Sequence, residues 1–217
     1  MTRQEIKAFA KEKIKNGNWY KILGAAIIAG IISVVTGSIK TDNELLYLIV
    51  NIISMIITAI IDIGLVNYMV NLITDQERSY ELLFSKFKYW KNIAITYFWQ
   101  LIKVFLWTLV FIIPGIIKSY AYSLVPYILN DNPEIDPKEA IALSEAMMQG
   151  HKGELFLLQL SFIGWSILGA FTLGILYLWL IPYMQTAMTK FLYEIKTNYE
   201  NANKKPTEPI NTTAVAA

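Results

Sequence analysis

The chain predicts an all-α fold, a polytopic membrane helix bundle of about six transmembrane helices with amphipathic interfacial helices beside them. Two observations carry that expectation. Of 217 residues, 55% are hydrophobic and only 17% charged, against about 25% charged in an ordinary soluble domain. The deficit is concentrated: residues 22–39 and 155–189 contain no formal charge. A bilayer core of about 30 Å is crossed by about 20 apolar residues in helical form, so these runs are of spanning length. They are continuous rather than alternating, which argues against a membrane β-barrel, and a backbone in lipid satisfies its polar groups within the helix.

Thr2-Arg3-Gln4-Glu5 fits a capping box. The helix that it opens, Arg3–Lys15, is amphipathic, with Ile6, Phe9, Ala10 and Ile14 on one face and Arg3, Lys7, Lys11 and Lys15 beside them. It reads as a helix lying on the cytoplasmic membrane surface, ended by Asn16-Gly17. Trp19-Tyr20 then marks an aromatic belt. The first span covers residues 20–38. Ala26, Gly30, Ser33 and Gly37 form a small-residue stripe that suits close helix approach. The second span covers residues 45–73, with Asn51, Ser54, Thr58 and Asp62 on a polar stripe.

Residues 77–91 read as a second interfacial helix, apolar through Tyr80, Leu83, Phe84, Phe87 and Trp90. The third span covers residues 92–113 and stops at Pro114-Gly115. The fourth, residues 116–130, is short and contains Pro126 and Lys118, the latter near enough to the end to snorkel. Asp136-Pro137-Lys138-Glu139 begins a polar helix with its N-cap, Pro at N1 and Glu at N3. The charge-free run is too long for one span, and Phe171-Thr172-Leu173-Gly174 divides it into spans at residues 153–171 and 174–193. The bundle thus occupies residues 1–195, its first 18 an amphipathic arm. Residues 196–217 have the composition of a disordered cytoplasmic tail.

Charge sets the expected orientation. Six Lys/Arg lie in residues 1–21, four in 74–91, two in 131–154 and four in 190–217, sixteen of nineteen. By the positive-inside rule both termini are cytoplasmic, which requires an even number of spans. Four is the fallback if residues 116–130 and their neighbour do not cross. Lys40 falls on the far side.

Two charges interrupt spans: Asp62 in the second and Lys103 in the third. A charge at bilayer depth costs about 2.5–3.5 kcal/mol even on the mildest scale. Antiparallel neighbours would bring the two to similar depth. One reading is therefore a buried ion pair that sets helix register. A second is a polar site in a water-filled cavity lined by Asn51, Thr58, Asp62, Gln100 and Lys103, and a third is that the two charges face different partners.

Catalytic chemistry has little foothold. Cysteine is absent and His151 is the one histidine, too few ligands for a zinc site, and no cofactor or metal is implied. His151 reads as a headgroup-boundary residue. Ser161 and Ser166 have no base placed to activate them. Glu139 and Glu145 read as a solvated face, and Met147-Met148 as packing. No phosphate-cradling glycine loop is present. Basic residues beside apolar spans point to anionic lipid headgroups rather than nucleic acid. A second copy or another membrane protein is left open as partner.

The strings Ile113-Pro114-Gly115-Ile116-Ile117-Lys118-Ser119-Tyr120-Ala121-Tyr122-Ser123 and Pro126-Tyr127-Ile128-Leu129-Asn130-Asp131-Asn132-Pro133 carry a resemblance. It continues through Glu139-Ala140-Ile141, Ser144, Met148-Gln149-Gly150-His151-Lys152, Leu160-Ser161-Phe162-Ile163-Gly164-Trp165, Thr172-Leu173-Gly174-Ile175, Pro182-Tyr183 and Thr186. Arg3, Glu5, Ile6, Lys7 and Gly17-Asn18-Trp19 fit the same pattern. The chain resembles a family of uncharacterised multi-pass membrane proteins common in Gram-positive Firmicutes, labelled domain of unknown function nine-seven-five. Residues 114–150 are more loosely similar to the membrane domains of bacterial glycerophosphodiester phosphodiesterases. The resemblance implies a bacterial plasma-membrane location and supplies no catalytic residues. The expected role is non-catalytic: envelope maintenance, stress response or protection against membrane-active peptides. The runner-up is a small-solute or lipid transporter or channel component using mid-membrane polar residues.

Overall fold

The computed structural model describes residues 2–15, 18–38, 43–77 and 79–203. The order is α1 (Arg3–Lys15), α2 (Trp19–Gly37), α3 (Glu44–Ile73), two short 3₁₀ turns η1 (Tyr80–Phe84) and η2 (Phe87–Tyr89), then α4 (Trp90–Val110). It continues with α5 (Ile112–Ala121), α6 (Val125–Asp131), α7 (Pro137–Met147), α8 (Lys152–Phe171) and α9 (Tyr177–Asn203). The fold is all-α. The Asn16-Gly17 stop, Lys40 and residues beyond 203 lie outside the described residues.

α1 begins with the expected capping box. The Thr2 N–H donates to Glu5 Oε2 at 2.7 Å, and the Glu5 N–H donates to Thr2 Oγ1 at 3.3 Å. Its apolar stripe, however, does not face lipid. Ile6, Ala10 and Ile14 are buried to 1% exposure or less, with α1 packed against α9. Full burial of an aliphatic side chain is worth about 1.5–3 kcal/mol, so the stripe docks α1 onto the bundle.

α2 packs on α3 and α9 through Ile22, Ala25 and Ala29, which are buried. Of the small-residue stripe, Ala26 is half-buried and Gly30 is exposed, with open space where its Cβ would stand. The expected interfacial helix of residues 77–91 is instead the pair of 3₁₀ turns. Leu83 alone among their residues is fully buried. Tyr80 stacks on Tyr68 at 5.9 Å and donates its hydroxyl to the Lys21 carbonyl at 3.4 Å. The segment thereby staples α2 to α3.

α4 and α5 form a tight antiparallel hairpin turned by Phe111 alone, at φ −156° and ψ 144°. The break comes before Pro114-Gly115 rather than at it. Pro114 sits in the first turn of α5, where no backbone N–H partner is lost. Gly115 lies against Thr108, whose side chain occupies the space of a Cβ. The descending segment breaks again at Tyr122–Leu124, before Pro126 at the start of α6. Ser144 of α7 repairs this break: its buried hydroxyl accepts the Leu124 N–H at 3.2 Å and donates to the Ala121 carbonyl at 2.9 Å. Asn92 anchors the following loop by donating to the Pro133 and Ile135 carbonyls at 2.8 and 2.7 Å.

α7 carries the expected N-cap, Asp136 Oδ1 accepting from the Lys138 and Glu139 N–H groups. Met147 and Met148 are buried. Glu145 is not merely solvated, because it pairs with Lys118; Lys118 also lies 5.1 Å from the Trp107 ring centre. The α8–α9 turn falls where expected, with Leu173 and Gly174 at positive φ (52° and 87°). α9 runs past the anticipated bundle boundary at 195 because Lys196 is clamped by Asp131 and by Glu200 at 2.7 Å.

Three helical segments are long and apolar enough to cross a membrane: Glu44–Ile73, Ile112–Asp131 and Lys152–Phe171. They correspond to the second, fourth and fifth expected spans. α2, α4 and α9 stand where the other three were expected without meeting the same measure among the described residues. Large apolar side chains cover the outer surface of the bundle, including Ile31, Ile49, Phe105, Ile163 and Leu173, the last 95% exposed. Exposed apolar surface on this scale marks a membrane or protein contact.

Candidate functional site

Asp62 and Lys103 do not pair. Among the described residues neither charge meets a partner within ion-pair distance. The reason is helical phase. Tyr97 of α4 borders the same cavity as Asp62, and Lys103 lies six residues beyond it. Six residues are about 9 Å along the axis and 1.7 turns around it, so Lys103 faces another direction.

Asp62 instead borders a cavity of about 440 Å³ between α3, α4, α6 and α9. That volume is in the range of small-molecule sites. α3 contributes Asp62, Leu65, Val66 and Met69, one helical face. α4 contributes Tyr97, α6 contributes Pro126 and Tyr127, and α9 contributes residues from Ile181 to Leu192. The sulfur-rich walls of Met69, Met184 and Met188 are soft and adaptable.

The polar groups of the cavity are few. Tyr127 donates its hydroxyl to Thr189 Oγ1 at 3.3 Å, joining α6 to α9. Gln185 Oε1 is buried without a hydrogen-bond partner. A buried acceptor left unpaired costs about 1–3 kcal/mol, so this atom calls for a donor. Asp62 is exposed toward the cavity. The site therefore offers one carboxylate and one amide oxygen within apolar walls, with no nucleophile–base pair among its lining residues.

The wall that carries Tyr127 is an interrupted helix, and the wall that carries Gln185 is a continuous helix with a proline inside it. The Tyr122–Leu124 break precedes Pro126. Pro182 lies inside α9, just before Met184 and Gln185, and Thr186 Oγ1 donates to the Pro182 carbonyl at 2.7 Å.

The other anticipated lining residues lie elsewhere. Asn51 donates to the Tyr47 carbonyl one turn back at 2.7 Å. Thr58, Gln100 and Lys103 are partly buried but do not line the cavity, and Gln100 Oε1 is a second buried acceptor without a partner. Sequence reasoning missed Tyr97, Tyr127, Gln185 and Thr189. Gln185 carried a usable signal, a long amide in a run without charges; the phenols carried none, since tyrosine is common in such spans. Ser161 and Ser166 spend their hydroxyls on helix carbonyls. His151 Nδ1 lies 2.8 Å from Glu154 Oε2 in an exposed pair.

No curated protein and no solved structure matches the chain. One family model does, over residues 95–199, the segment from α4 through most of α9. That segment supplies three walls of the cavity, while α3 with Asp62 lies before it. Over that segment, the chain is similar to the family described as Protein of unknown function (DUF975).

Proposed function

We propose that the chain is a non-catalytic, multi-pass plasma-membrane protein that binds a cationic amphiphile in the Asp62 cavity and thereby serves envelope maintenance, including protection against membrane-active cationic peptides. One observation carries the reading: an apolar cavity of about 440 Å³ that holds a carboxylate without a cationic partner among the described residues. An ammonium head would neutralise Asp62 and donate to Gln185 Oε1, while its hydrocarbon would cover the Leu65, Val66 and Met188 walls. The basic residues beside the spans support cytoplasmic termini and six crossings.

The test is binding to the purified protein in phosphatidylcholine nanodiscs. Dodecylammonium is expected to bind the wild type, and Asp62→Asn to weaken it by roughly tenfold to a hundredfold, the worth of one charged hydrogen bond. Neutral dodecanol should bind both proteins alike. Equal dodecylammonium affinity in the two proteins would end the reading.

The helix break between α5 and α6 and the proline inside α9 favour one second reading, transport of the same amphiphile. Transporter sites use interrupted helices near the midplane. Dodecylammonium flux in reconstituted vesicles that is abolished by Asp62→Asn would support transport, and binding without flux would support the first reading.

A further inference from the structure

A second cavity, of about 450 Å³, lies where the start of α1 meets α8. It is lined by Thr2, Arg3, Gln4, Lys7 and Ser161. Its character is opposite to that of the Asp62 cavity, with two cations in place of one carboxylate. Arg3 and Lys7 are at i, i+4 on α1 and so share one side of the helix. Lys7 Nζ donates to the Ser161 carbonyl at 3.2 Å and lies 4.3 Å from the Phe162 ring centre. These contacts hold the ammonium against α8 and leave two of its three donors unspent.

No carboxylate pairs with Arg3 or Lys7 among the described residues. Glu5, the nearest acid in sequence, turns its Oε2 to the Thr2 N–H. Burial and the neighbouring Arg3 hold the Lys7 ammonium below the usual lysine range. An anion between the two would relieve both effects. The surface beside the cavity is apolar. Leu157 and Trp165, one turn either side of Ser161 on α8, are exposed, and Gly164 leaves a notch between them.

We propose that Arg3 and Lys7 hold the phosphate of an anionic membrane lipid whose acyl chain lies along Leu157, Gly164 and Trp165 of α8. An anion joined to a hydrocarbon chain matches this juxtaposition. The occupant would tie α1 to α8, a pair of elements otherwise linked here through Lys7.

The test uses the full chain, delipidated in detergent, with lipid retention read by native mass spectrometry. Dioleoyl-phosphatidylglycerol should be retained in preference to dioleoyl-phosphatidylcholine. The Arg3→Gln/Lys7→Gln double variant should lose that preference by roughly thirtyfold, two interfacial charges' worth. Lys11→Gln/Lys15→Gln, which removes as much charge from α1 away from the cavity, should keep it. A wild-type salt titration needs no variant: phosphatidylglycerol retention should fall with added salt and phosphatidylcholine retention should not. Equal retention of the two lipids, a double variant that keeps the preference, or salt-independent retention would each overturn the proposal. Displacement of the lipid by millimolar inorganic phosphate would also overturn it, assigning the site to a free anion.

Discussion

Gly64 and Leu83 meet backbone to backbone: the Leu83 carbonyl occupies the space that a β-carbon at position 64 would need. The contact seats η1 against the middle of α3, and Leu83 fills a fully buried site with Tyr68, Met69 and Leu72. No flexible side chain stands in the way that could swing aside. Glycine at 64 is thus a packing requirement of the η1–α3 contact.

Gly64→Ala should therefore destabilise the bundle by about 1–3 kcal/mol, the usual range for overpacking. Gly30→Ala, in open space on α2, should leave the melting temperature unchanged or slightly raised, since alanine is the better helix former. Thermal unfolding in detergent, followed by tryptophan fluorescence, compares them. Equal melting temperatures would show that η1 yields freely at this contact.

Ser144→Ala should cost about 1–3 kcal/mol by stranding the Leu124 N–H and the Ala121 carbonyl in the buried break between α5 and α6. Ser123→Ala is the control, because that exposed hydroxyl makes only a 3.5 Å contact to a helix carbonyl. Hydrogen exchange of the Leu124 amide should rise selectively in the Ser144 variant. Unchanged protection there would mean that another group caps the break.

Lys196 joins α9 to α6 through Asp131 and also pairs with Glu200. Burial alone would lower its pKa, but the hydrogen bonds and charges of the two carboxylates outweigh burial and raise it. A lysine raised in the fold stabilises fully below its ordinary value of about 10.4 and loses that contribution as pH rises through the folded value. The wild type should therefore lose melting temperature above about pH 10.4 more steeply than Lys196→Met does. Near pH 8 the variant should be less stable by about 1–2 kcal/mol, a modest cost because both carboxylates are about half exposed. Parallel pH profiles for the two proteins would remove Lys196 from the linkage.

Much of the local structure was legible in advance. The α1 capping box, the Asp136 cap, the turn at Leu173-Gly174 and the buried methionines depend on neighbours within a few residues, and the residues there name their own partners. Contacts between distant elements follow another rule. The pattern of α1 predicts lipid against its apolar stripe and α9 takes that place, since amphipathicity states that a face is covered but not by what. The pattern of residues 77–91 predicts one interfacial helix, yet the carbonyl fit at Gly64 and the Tyr68–Tyr80 stack hold η1 against α3, and η2 follows as a separate turn.

Asp62 shows the same division most clearly. Its sequence setting established that a carboxylate interrupts a long apolar helix, and that such a group requires an explanation. Similar depth on an antiparallel neighbour made Lys103 a reasonable partner. Depth is a property of one helix, however, whereas pairing depends on the rotation of two. That rotation is decided by side chains packed along the whole interface, and it turns Lys103 away. The chain by itself determined the helices, their apolar character and the two exceptional charges, because these follow from composition and periodicity. Only the tertiary structure decided that Asp62 faces Tyr97, Tyr127 and Gln185 across a cavity, because residues from four separate helices converge there only after packing.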